Sequence, residues 1–192
     1  DLYREIEPEF VLHFAAQAEV RVGYERPLDT FATNLQGSIN LLECMRSARH
    51  LVAGLMVTTD KVYENCELRK LFREDDALGG DDPYSASKAA CETVIHSYRE
   101  SDVRAKGTPL LSARAGNVLG GGDYSTYRLV PDIARSIANN LKLSLRMPEA
   151  RRPWQHVLDC LRGYFVFVEN SVTQSGFGVD RLNFGPGPNE NA

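Results

Sequence analysis

The chain lacks any Cys-x-x-Cys pair, and its four cysteines (Cys44, Cys66, Cys91 and Cys160) are scattered. That pattern argues against a zinc site, predicts no bound metal, and fits the reduced thiols of a cytoplasmic protein. No apolar run approaches the length of a membrane span, and no secretory leader pattern is visible, so no membrane partner is expected. Charge of one sign is also scarce. The formal net charge is −4 with no long basic run, which argues against a nucleic-acid partner. Arg146, Arg151 and Arg152 form the one local candidate for binding an anion. No glycine-rich turn precedes the first predicted strand, and the chain opens on Asp1 in helical character, so it reads as part of a longer protein. Repeats and low-complexity tracts are absent too. The remaining bulk is ordinary: 192 residues, 43% hydrophobic and 25% charged, allow one globular unit with a sizeable core.

Strand and helix patterns alternate along the chain. Residues 9–15 read as a short buried strand ending in Ala15-Ala16-Gln17. Pro27 opens a long helical pattern with Leu28, Phe31, Leu35, Ile39, Leu42 and Met45 at helical spacing. Residues 51–58 form a second apolar strand, and 64–82 a polar, acidic loop containing Gly79-Gly80. A helix from Pro83 to about Glu100 follows, with Ala89, Ala90, Val94, Ile95 and Tyr98 as its predicted buried side. Further strands are expected at 110–115, 143–146 and 181–184, a loop at 116–123, and helices at 129–139 and 156–170. This alternation predicts an α/β fold, a Rossmann-type doubly wound parallel sheet, here partial, with a smaller ligand-binding portion. The division falls near 118: residues 1–118 form the sheet portion, and 119–192 the smaller portion with a late strand returning to the sheet.

The chemistry concentrates in two runs, Thr58-Thr59-Asp60-Lys61-Val62-Tyr63 and Asp82-Pro83-Tyr84-Ser85-Ala86-Ser87-Lys88. Residues four apart on a helix share a face, so Tyr84 and Lys88 point the same way. A free tyrosine, with a pKa near 10, is too weakly acidic to act as a base at neutral pH. A neighbouring ammonium favours the phenolate and makes it a proton acceptor. Such a pair arises by chance and is weak evidence alone. The Thr-Thr-Asp step strengthens it by adding a polar cluster at the C-terminal end of a predicted strand, where open α/β sheets bind their ligands. His13, inside the first strand, reads as a packed core histidine.

Taken together, Thr59-Asp60-Lys61-Val62-Tyr63-Glu64-Asn65, Leu78-Gly79-Gly80, Asp82 to Ala90, Ala113-Arg114-Ala115-Gly116-Asn117-Val118 with Gly120-Gly121-Gly122-Asp123, and Arg151-Arg152-Pro153-Trp154-Gln155-His156-Val157 carry a resemblance. The chain resembles the extended short-chain dehydrogenases/reductases that act on nucleotide sugars, and within them the CDP-glucose 4,6-dehydratase branch. The resemblance spans most of residues 10–185. It implies an NAD cofactor, a CDP-glucose substrate and a homodimer built from the Pro27 and Tyr84 helices, whose apolar positions look too numerous for one sheet face.

The resemblance also implies roles. Tyr84 takes the 4-hydroxyl proton, Lys88 tunes Tyr84 and binds the nicotinamide ribose, and Thr59 bonds the same hydroxyl, with a turn cap as its alternative. Asp60 is the acid for loss of the 6-hydroxyl. Many related dehydratases carry Glu next; here Lys61 stands there, which points to the CDP-sugar branch and leaves the C5 base open. Ala15, Ala16, Gln17 and Thr58 match the cofactor side. Asn34 matches a position on the next helix, with a helix-interior polar residue as its alternative. Asn117, Arg128, Leu129, Val130, Pro131, Arg152 and His156 match the nucleotide-sugar side, where an Arg fork suits phosphate. Two other readings stay open: a nucleotide-sugar 4-epimerase, which needs no elimination acid, and a non-catalytic NAD-binding scaffold or fragment.

Overall fold

The computed structural model describes residues 2–64, 71–103, 106–145, 148–150 and 152–187. Its strands are β1 (Phe10–His13), β2 (Ala53–Val57), β3 (Leu110–Ala115), β4 (Asn117–Leu119), β5 (Trp154–His156) and β6 (Arg181–Phe184). Its α-helices are α1 (Leu2–Ile6), α2 (Val20–Glu25), α3 (Pro27–Phe31), α4 (Gly37–Ser47), α5 (Pro83–Tyr98), α6 (Leu129–Ala138) and α7 (Val157–Thr173). The main sheet has the order β1-β2-β3-β6, with every neighbouring pair parallel. All four strands therefore end on the same edge, and the segments that follow them share that edge.

Strand periodicity places the core. Ala53, Leu55, Leu111, Ala113 and Ala115 face α7 and pack on Cys160, Tyr164, Phe167 and Val168. Met56 and Leu110 face the other way, onto Leu42 and Met45 of α4 and Cys91 and Ile95 of α5. Helices thus cover both faces, the three-layer Rossmann-like arrangement that the alternation predicts. Each fully buried Leu or Met side chain contributes on the order of 1.5–3 kcal/mol. Arg99 clamps the far end of α5, donating to the Leu110 carbonyl at 2.7 Å and pairing with Asp180 at 3.1 Å.

Several expectations need correction. The first strand is shorter, Phe10–His13, because the chain leaves the ladder before Ala15. The long helical pattern from Pro27 contains a π-helical turn, Ala32–Gln36. The extra residue per turn rotates the helix face, so Leu28 lies 80% exposed although it fits a regular spacing. On α5 the fully buried side is more polar than predicted: Ser85, Ser87, Lys88 and Glu92 are buried, whereas Ala90, Val94 and Tyr98 are only half-buried. The outward positions Thr93, His96 and Ser97 of α5 and Asn40, Arg46 and Ser47 of α4 are exposed and polar. Of the apolar positions on these helices, Leu28 is exposed and Leu35, Leu41, Val94 and Tyr98 are partly buried.

Residues 143–145 form no strand, and Arg146 lies outside the described residues, as does Arg151. The predicted loop 116–123 contains β4, which pairs in parallel with β5 and matches Asn117 to Trp154 and Leu119 to His156. A three-residue ladder closed by partners 37 positions away leaves no local periodicity to read. Among the described residues, no helix is long and apolar enough to cross a membrane.

Candidate active site

The site is assembled at the C-terminal edge of the sheet. After β2 the chain enters a single 3₁₀ turn, Asp60–Val62, capped by the Thr59 hydroxyl, which accepts from the Lys61 amide at 3.4 Å. Thr59 is buried and donates to the Asp60 carboxylate at 3.2 Å. Thr59 thus caps the turn, which is its alternative reading, and it sits at the C-terminal end of β2.

Helix α5 starts at the same place. Asp82 caps it, accepting from the Ser85 amide at 3.0 Å and the Ser85 hydroxyl at 2.6 Å, and Pro83 occupies the first turn. Gly80 makes this entry possible. Its φ is +142°, and a Cβ there would sit 2.5 Å from the Ala86 amide nitrogen.

Tyr84 is half-buried in the first turn of α5, close enough to Thr59, Asp60 and Arg128 for each to act on its hydroxyl. Burial pushes the phenol up, and the Thr59 hydroxyl and Arg128 pull it down, with a net rise. The Lys61 ammonium lies 6.0 Å from the Tyr84 ring centroid, while its side chain is largely exposed. Lys88, one turn on, is buried and donates to the Val57 carbonyl at 2.9 Å. Burial pulls its pKa down, and Cys91 and Glu92 pull it up. Desolvation is the largest influence on Tyr84, and the Lys88 ammonium is anchored on β2 through the Val57 carbonyl.

Asp60 is also raised by burial, against the pull of Thr59, Lys61 and Arg152. The direction favours the protonated form, the form a proton donor requires.

The predicted cofactor side lies next to it. The segment Ala15-Ala16 leaves the end of β1, with Ala15 exposed. Gln17 is turned inward, its amide nitrogen donating to the Asn34 Oδ1 at 2.8 Å and its side chain to Thr30 at 3.1 Å. Asn34, 1% exposed in the π turn, donates back to the Gln17 carbonyl at 3.0 Å and to Ser87 of α5 at 2.9 Å. It holds the loop and the helix together, which is its backbone-bonding reading. The Thr58 side chain likewise faces the interior and donates to Glu92 at 2.5 Å.

On the predicted substrate side, the β4–β5 ladder carries Asn117 and, two residues before Trp154, the exposed Arg152. Arg152 acts on Asp60 across the site. Arg128 is the N-cap residue of α6 and pairs with Asp123 at 3.4 Å. Leu129 and Val130 are exposed and Pro131 is buried. His156 caps α7, its Nδ1 accepting from the Leu158 amide at 3.3 Å, so its ring serves the helix start. Sequence reasoning missed Glu92, Arg114 and Tyr63. Glu92 lies one helical turn after Lys88, and Arg114 interrupts an otherwise apolar strand; both were available signals.

A family profile described as GDP-mannose 4,6 dehydratase matches residues 1–177. The chain is 43% identical over 187 residues to CDP-glucose 4,6-dehydratase of Salmonella typhimurium, covering 95% of this chain and 52% of that protein. It therefore spans about half the length of that relative. Among solved structures it resembles DesIV, a dTDP-glucose 4,6-dehydratase from Streptomyces venezuelae with NAD bound, at TM-score 0.80 and 25% identity, over 96% of this chain and 55% of that one. A UDP-glucuronic acid 4-epimerase from Bacillus cereus, solved with NAD, shares the fold at TM-score 0.83 and 20% identity, over 97% and 57%. With residues 1–177 matched by the profile, the chain belongs to the GDP-mannose 4,6 dehydratase family of extended short-chain dehydrogenases/reductases.

Proposed function

We propose that this chain carries the reacting centre of an NAD-dependent CDP-glucose 4,6-dehydratase. The observation that carries the reading is Asp60: a carboxyl raised by burial, bonded to Thr59 and acting on Tyr84 at the end of β2. An elimination needs such an acid. The 43% identity to a CDP-glucose 4,6-dehydratase supports the same substrate. The residues present suit the nicotinamide-ribose end of the cofactor, because small Ala15 and Ala16 leave backbone accessible and the Lys88 ammonium has three donors.

Bound NAD would supply the hydride acceptor for C4 and, once reduced, the hydride donor for C6. Tyr84 removes the proton of the 4-hydroxyl while Thr59 bonds that oxygen, and the product of this step is the 4-ketone. The ketone acidifies the proton at C5, whose loss generates the enolate. Lys61, beside Tyr84, offers a cation to the enolate oxygen, and the group that takes the C5 proton stays open. Asp60 gives its proton to the 6-hydroxyl, which leaves as water. Reprotonation at C5 completes the 4-keto-6-deoxy sugar.

In this reading residues 1–118 serve the cofactor and carry the reacting residues and Asn117, and 119–192 supply the rest of the nucleotide-sugar side. Arg152 and Asn117 hold the diphosphate, Arg128, Leu129 and Pro131 the nucleoside side, and His156 acts through the start of α7. A cytoplasmic homodimer is part of the proposal; a strictly monomeric mass by light scattering at micromolar concentration would count against the dimer. The alternative, a 4-epimerase, uses Tyr84, Lys88 and Thr59 but has no task for Asp60. The test is to incubate the chain, alone and joined to whatever its own gene encodes on either side, with NAD and CDP-glucose. A 4-keto-6-deoxy product is expected, and CDP-galactose would favour the epimerase.

A further inference from the structure

Behind the reacting edge lies a buried polar network. The Glu92 carboxylate accepts from the Thr58 hydroxyl at 2.5 Å, the Ser112 hydroxyl at 3.0 Å and Arg114 Nη2 at 2.9 Å. Arg114 in turn donates through Nη1 to the Tyr63 hydroxyl at 2.9 Å and the Glu74 carbonyl at 3.0 Å. Tyr63 donates to Asn183 Oδ1 at 2.5 Å, and the Asn183 amide donates to Glu74 at 2.7 Å. One carboxylate thereby joins α5, β2 and β3, and reaches β6 through Arg114 and Tyr63.

Stability alone does not call for this arrangement. Both charged side chains are 3% exposed, and replacing a buried ion pair with packed apolar residues is commonly neutral or stabilising. The Arg114 Nε is moreover buried without a hydrogen-bond partner among the described residues, a further cost. What the pair does have is position. Thr58, held by Glu92, immediately precedes Thr59 and Asp60, and Glu92 lies one helical turn from Lys88.

We propose that Glu92 is a positioning residue of the site: it pins the strand end that carries Thr59 and Asp60, and it sets a buried carboxylate one helical turn from the Lys88 ammonium. The proposal rests on the dehydrogenase reading of Tyr84 and Lys88. The charges in play are few. Lys88 is faced by Cys91 and Glu92 from its own helix and acts on His13 of β1. Glu92 is faced by Arg114 from β3 and acts on Arg99 at the end of α5, with Tyr63 reaching it through Arg114. Burial works against the Lys88 charge, and Cys91 and Glu92 work for it.

The test follows the Lys88 Cε resonance against pH in ¹³C-lysine-labelled protein without substrate or cofactor. The variants are Glu92→Gln and the paired Glu92→Gln/Arg114→Met. The single variant strands the Arg114 charge and is expected to lose stability. The paired variant removes both charges and is expected to fold. In the paired variant, and in the single one if it folds, Lys88 should titrate at lower pH than in the unsubstituted chain. In the form of the protein that turns over, kcat of the paired variant should fall about 10-fold or more with KM within about twofold.

An unchanged Lys88 titration in a folded paired variant would overturn the proposal, as would an unchanged kcat. Failure of the paired variant to fold would overturn it too, because the pair would then be a requirement of folding. The titration needs no turnover. A shifted Lys88 in a protein that turns CDP-glucose into its C4 epimer would therefore refute the dehydratase reading and leave the Glu92–Lys88 coupling standing.

Discussion

Asn34 grips Gln17 by both sides of one residue, accepting from its amide nitrogen at 2.8 Å and donating to its carbonyl at 3.0 Å. Its second amide hydrogen goes to Ser87 of α5 at 2.9 Å. One side chain thus fixes the loop after β1 against α5. We predict that Asn34→Ala, which strands these buried groups, costs about 2–4 kcal/mol in urea unfolding. A loss under about 0.5 kcal/mol, the usual size of a surface substitution, would show that the clip is not needed.

The parallel sheet and its helices were legible because β2 and β3 are apolar runs bounded by polar turns and α5 carries a capped start. The candidate site residues were legible because Thr59, Asp60, Tyr84 and Lys88 lie in two short runs. The π turn at Ala32–Gln36 was not, since an extra residue per turn leaves no mark in a 3.6-residue periodicity. Nor was the β4–β5 ladder, whose partners are far apart in sequence. The partners of Glu92 were hidden for the same reason: Thr58 and Arg114 are 34 and 22 residues away. Spacing predicted that Tyr84 and Lys88 share a face, but not that burial would outweigh the local charges at Tyr84.

Tyr84→Phe tests the base. The phenol oxygen acts in the transition state, so turnover should fall by about 10²-fold or more while KM changes little. Steady-state kinetics with CDP-glucose would show this, and near-normal kcat would remove Tyr84 from the mechanism.

Asp60 makes a prediction about stability against pH. Burial raises its folded pKa above the unfolded value, so the protonated form favours folding, and that contribution is lost as pH rises through the folded pKa. Asp60→Asn, which cannot ionise, should therefore be more stable than the unsubstituted chain at pH 7, with the advantage shrinking as the medium becomes acidic. Urea midpoints measured across that range check the sign; an advantage that grows towards acid would contradict it.

Gly80→Ala should destabilise the start of α5. The residue would carry a Cβ at φ +142° and meet the Ala86 backbone at 2.5 Å. A loss of about 1–3 kcal/mol is expected, visible as a lower thermal midpoint. An unchanged midpoint would mean that the loop before Asp82 adjusts freely.

The central claim is an oxidation at C4 followed by elimination across C5 and C6, with Asp60 as the acid. The most direct measurement is the product formed from CDP-glucose and NAD in deuterated water, read by NMR and mass spectrometry. The account predicts a 4-keto-6-deoxy sugar nucleotide with deuterium at C5. In the same assay Asp60→Asn should accumulate bound NADH and release product about 10²-fold more slowly. An unlabelled C4 epimer that keeps its 6-hydroxyl, formed equally well by Asp60→Asn, would contradict the account.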